Sequence, residues 1–73
     1  MNDNAKKDLE KIKQQIGLLI TGITKHQDDE KTYMDAFLGE DEVMKSEERI
    51  DSLEHAILYL SDVENLIYKA ILI

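Results

Sequence analysis

A chain of 73 residues can bury one small core, so a second domain is excluded and folding alone lies near its lower size limit. Cys, Pro and Trp are absent, which rules out a disulfide framework and any Cys-based zinc or redox site. A formal net charge of −7 argues against direct binding to DNA or an anionic membrane, because carboxylates would face phosphates that need Lys or Arg.

With 42% hydrophobic residues the chain is not composed like a disordered tail, and without Pro it can run as long helices. The charge is unevenly placed. Residues 1 to 26 carry five Lys against Asp3, Asp8 and Glu10, a net +2. Residues 27 to 65 carry thirteen acids against Lys31, Lys45 and Arg49, a net −10, and Lys69 adds one positive charge. Such asymmetry can steer two copies into antiparallel register or attract a basic partner to one region; the simpler reading is a solvated face that keeps the chain soluble.

In the first segment Leu9, Ile12, Ile16, Leu19 or Ile20, and Ile23 recur at three and four, the spacing of one helical stripe. Asn2, Asp3 or Asn4 can cap its start through a side-chain oxygen. Gly17 and Gly22 weaken it by roughly 1 kcal/mol each relative to Ala, or allow another helix to approach closely. The polar run 26–31 either turns the chain or continues the helix as an exposed stretch. Tyr33, Met34, Phe37 and Leu38 resume helical spacing up to Gly39, the expected helix stop, where Gly can enter the left-handed conformation without Cβ strain.

A second helix is expected from Asp41 or a neighbouring acid, with the acids at 40–42 facing the positive end of its dipole. Here the pattern is clearest. Ile50, Leu53, Ile57, Leu60, Val63 or Glu64, Ile67 and Ile71 form a seam with alternating spacings of three and four. Ser61 and Glu64 have the spacing of a capping box, yet the seam continues unbroken on both sides. The region 66–73 is apolar on nearly all sides and needs a cover: the first helix, a second copy or a target. Ile50, Leu53, Ile57, Leu60, Ile67, Tyr68 and Ile71 are the residues expected at an oligomer or partner interface.

The expectation is therefore an all-α helical hairpin forming a single domain over 1–73, its first arm one helix or two, that dimerises into a four-helix bundle. No span is long enough for a bilayer, and a cytoplasmic location is expected from the missing signal peptide and Cys.

No catalytic constellation emerges, and no enzymatic activity, cofactor or metal is expected. Glu47, Asp51 and His55 form a ladder one helical turn apart, but the Glu-x-x-His pair of di-metal bundles is missing; an exposed polar face is the reading. His26 with Asp29 and Glu30 matches no calcium loop. Ser46 and Asp51 stand five apart, one residue more than the Ser-x-x-x-Asp of helical-hairpin phosphatases, which rotates Asp51 by about 100°.

What remains is recognition. The leading expectation is a small acidic regulator that binds and modulates or inhibits a partner protein, such as a DNA-binding protein whose basic surface it covers, in the manner of antirepressors and antitoxins. Glu47, Glu48, Asp51 and Glu54 are its expected acidic contact face. The alternative is a structural subunit or assembly adaptor whose activity is oligomerisation through the apolar seam.

Overall fold

Apolar residues at helical spacing and the absence of Pro favour helices, and two form from nearly the whole chain. The computed structural model describes residues 2–37 and 39–73, apart from the side chains of Phe37, Glu40 and Asp41. Helix α1 runs Asp3–Phe37 and helix α2 runs Glu40–Leu72, folded against each other as a hairpin. Among the described residues there is no strand, and no helix is long and apolar enough to cross a membrane.

The first arm is one helix, so the polar run 26–31 continues it instead of turning the chain. Asn2 starts it: its Oδ1 accepts the Ala5 backbone N–H at 2.8 Å, satisfying one of the donors that the first turn leaves open. Thr21, Thr24 and Thr32 donate their hydroxyls to carbonyls one turn back, so these polar residues find local partners without breaking the helix. Helix α2 passes through Ser61 and Glu64 without a break. The capping-box spacing is therefore incidental to the chain's path.

Gly39 plays a different part from the one expected of it. It does not occupy the left-handed region; at φ −78° and ψ 173° it is extended and acts as the N-cap of α2, which begins at Glu40, the acid beside Asp41. The Val43 N–H donates to its carbonyl at 2.9 Å, closing the first turn. Leu38 lies outside the described residues.

Gly17 and Gly22 also separate. A Cβ at Gly17 would stand 3.3 Å from Glu64 Oε2 on α2, whereas one at Gly22 would meet nothing within 4 Å. A side chain at Gly17 would press on the end of the flexible Glu64 side chain and shift it by a few tenths of an ångström, and no packing demand accounts for Gly22.

Six contacts set the register of the hairpin: Lys13 over Tyr68, Gly17 beside Glu64, Gln27 with Ile50 and Glu54, and Glu30 with both Ser46 and Arg49. The result is a rod of 55 × 14 × 11 Å. Its radius of gyration, 16.7 Å, exceeds the about 11 Å of a compact chain of this length. Little can be buried in such a shape. Ile16, at 8% exposure, is the single large hydrophobic side chain that is buried among the described residues.

Candidate partner-binding surfaces

The seam of α2 faces α1. Ile50, Leu53, Ile57, Leu60, Ile67 and Ile71 are all half-buried, so the first helix supplies part of the cover that this stripe needs. Tyr68 lies at the edge, about half exposed, with the Lys13 ammonium 5.7 Å from its ring centroid, within the range of a cation–π contact. Outside the seam, Tyr59, Leu66, Leu72 and Ile73 remain exposed.

Toward the turn the interhelical contact becomes polar. Gln27, 5% exposed, donates its Nε2 to the Ile50 carbonyl at 3.1 Å and to Glu54 Oε2 at 2.9 Å. One turn on, Glu30 Oε1 accepts from Ser46 Oγ and from Arg49 Nη1, each at 2.7 Å. Ser46 is fully buried. Buried polar groups with every partner in place are directional, so a slip of either helix by one turn would leave Ser46 and Gln27 without partners. These residues therefore pin the register, a task that the non-directional contacts of the apolar half leave loosely specified.

Glu30 and Ser46 were weighed by sequence reasoning only for metal and phosphatase chemistry, and none of Gln27, Glu30 and Ser46 was placed between the helices. A signal was there: Gln27 and Glu30 fall four and seven positions after Ile23, and Ser46 four before Ile50, all on the stripes that face inward. The buried hydroxyl also has a consequence for chemistry. Ser46 is held by Glu30 inside the hairpin and presents no free hydroxyl to a reacting group.

Its two donors, Ser46 first and then Arg49, stabilise the ionised Glu30 carboxylate and hold its pKa below the ordinary 4.5, against a smaller opposing effect of desolvation. A lowered folded-state pKa means a contribution to stability that is complete above the unfolded value and lost as pH falls through the folded one. Urea unfolding across pH 2 to 7 is therefore expected to show wild-type stability falling below about pH 4.5, and the Glu30→Gln variant falling less steeply there. Parallel curves for the two proteins would remove this role.

All four residues expected as the acidic face are exposed, but they do not share one surface. Glu47, Asp51 and Glu54 line an open groove between the helices with Ile50, and α1 contributes Gln27, Lys31, Met34 and Asp35. Glu48 lies on the opposite flank, in a shallow depression with Lys45, Arg49, Ser52 and Leu53. The separation follows from helix geometry, since successive residues are turned by about 100°.

The ladder that included His55 resolves into local contacts. His55 Nδ1 is 2.9 Å from the Asp51 carbonyl oxygen and 3.6 Å from its carboxylate, and the ring tilts toward Tyr59 at 6.5 Å. Among the described residues no group of three His, Cys, Asp or Glu side chains is placed to hold a metal ion.

Folding back also rearranges the charge. The half of the rod away from the turn, residues 3–23 with 56–73, carries five Lys and five acids and is neutral. The turn half, residues 24–55, carries four basic residues and eleven acids, so the whole −7 resides there. No family model, curated protein or solved structure matches the chain.

Proposed function

We propose that this protein is a small regulator that binds a basic, amphipathic segment of a partner protein in the groove between its helices at the turn end. The observation that carries the reading is the composition of that groove: apolar Met34 and Ile50 lie among four carboxylates, Asp35, Glu47, Asp51 and Glu54, against one cation, Lys31. Apolar side chains among carboxylates complement a helix that has one apolar stripe flanked by Lys or Arg. The DNA-contacting surface of a DNA-binding protein is rich in such residues, and covering it would modulate or inhibit that protein by competing with phosphate charge. Catalysis plays no part in this reading.

The test uses a synthetic 15-residue Lys- and Leu-rich amphipathic peptide as the probe. It is expected to bind with an association rate that falls steeply with salt. Combining Glu47→Gln, Asp51→Asn and Glu54→Gln is expected to slow association about tenfold at low salt and to flatten its salt dependence. Glu48→Gln, on the other flank, is expected to leave both nearly unchanged. Equal effects from the two substitutions, or no binding at all, would discard the groove as the contact.

A further inference from the structure

The acidic groove leaves the neutral half of the rod without an explanation for its apolar surface. The hairpin exposes 5703 Å², whereas a compact monomer of 8.4 kDa exposes about 4,600 Å². The excess, about 1,100 Å², is larger than the about 800 Å² that each partner contributes to a standard protein interface.

The exposed apolar residues are not evenly spread. Turning the helices by about 100° per residue from the contacts that mark each flank places Lys13, Gly17 and Tyr68 on the same side as the acidic groove. On that side of the neutral half α1 offers Lys6, Lys13 and the half-buried Ile20 and no exposed large apolar side chain, while α2 exposes Leu58, Tyr68 and Leu72. The opposite flank, marked at the turn end by the Glu30–Arg49 ion pair, is different. There Ile12 and Leu19 of α1 stand beside Val63 of α2, with Tyr59 and Leu66 on its outer border, all exposed.

We infer that this flank is the interface for a second copy of the chain, joined by a two-fold axis perpendicular to the rod near the level of Ile16 and Val63. Each copy then covers the other's Ile12, Leu19 and Val63, and four helices enclose the core that two cannot. Charge selects the orientation. Placing the two rods in parallel sets one −7 half beside the other, whereas the antiparallel arrangement carries the two acidic turn ends apart and avoids that repulsion. The groove lies on the other flank and stays open, so the assembly presents two grooves facing away from the shared interface. This inference stands independently of what the groove binds.

Sedimentation equilibrium of the full chain at 10 to 100 μM is expected to give twice the 8.4 kDa chain mass. Leu19→Glu and Leu66→Glu are each expected to raise the dimer dissociation constant at least tenfold with helical circular dichroism retained, because each buries a charge in the interface. Leu58→Glu, on the groove flank, is expected to remain dimeric. Spin labels on Glu42→Cys are expected to lie more than about 50 Å apart in the antiparallel dimer, against within about 20 Å for a parallel one. A wild-type mass of one chain or of more than two overturns the inference, as do dissociation by Leu58→Glu alone and a short label distance. Should the Glu variants unfold, the wild-type mass and the label distance decide it.

Discussion

Ile16→Ala is expected to cost about 2 to 5 kcal/mol of unfolding free energy, the range for removing a buried aliphatic side chain and leaving its space unfilled. A 73-residue protein has about 4 to 11 kcal/mol in total, so this one change removes a large share of it. The reason lies in the shape of the rod. Most apolar side chains along the contact are half-exposed, and Ile16 alone is buried among the described large hydrophobics, so no neighbouring core can compensate for its loss. Leu18, two positions on and 72% exposed, provides the comparison. Its replacement by Ala is expected to change stability by less than about 0.5 kcal/mol. Urea titrations of both variants at one protein concentration check the pair, and equal losses would contradict the helix faces described above.

The second large effect is expected from Ser46→Leu, at about 1 to 3 kcal/mol of destabilisation. On the sequence pattern alone this substitution looks favourable, since position 46 lies on the inward stripe four residues before Ile50 and Leu has the better helix propensity. Packing reverses the expectation. Ser46 has no exposed surface, and its hydroxyl sits 2.7 Å from the Glu30 carboxylate, so a larger side chain must push the helices apart and strip Glu30 of a donor. Chemical denaturation measures the loss. A stabilised Ser46→Leu protein would show that the polar contacts near the turn are dispensable and that the helices can close on an apolar side chain there.

These two positions illustrate how unequally the sequence reports on the fold. Ile16 announces itself, because it is an aliphatic residue at helical spacing with Leu9 and Ile23, which are also turned toward α2. Ser46, Gln27 and Glu30 do not. A polar side chain is equally at home in water, so its burial depends on whether a hydrogen-bonding partner from the other helix arrives at the right height. That height is a property of the register. The polar run 26–31 left open whether the chain turned or continued, and what resolves it is the supply of partners by α2: Ser46 and Arg49 for Glu30, Ile50 and Glu54 for Gln27. Gly39 shows the same limit at the turn, since its freedom from Cβ strain permits several conformations and the one adopted is extended.

The acidic face divides along the same line. The four acids were legible as an excess of charge, but which of them act together depends on which flank of α2 each occupies. Glu47, Asp51 and Glu54 meet Asp35 and Met34 of the other helix in a groove, and Glu48 faces away from it beside Arg49.

By itself, then, the sequence determined that this protein is a helical hairpin with inward apolar stripes and a strongly acidic surplus, because helix periodicity and charge are local properties of the chain; whether its first arm is one helix or two stayed open. The tertiary structure alone decided where that surplus sits. Antiparallel pairing lays the mildly basic first segment against the end of α2 and cancels the charge of that half. All of the −7 is thereby gathered at the turn end, and an apolar flank is left at the neutral end. The physical reason is that charge balance and exposure are sums over neighbours in space, and those neighbours exist only once the hairpin has closed.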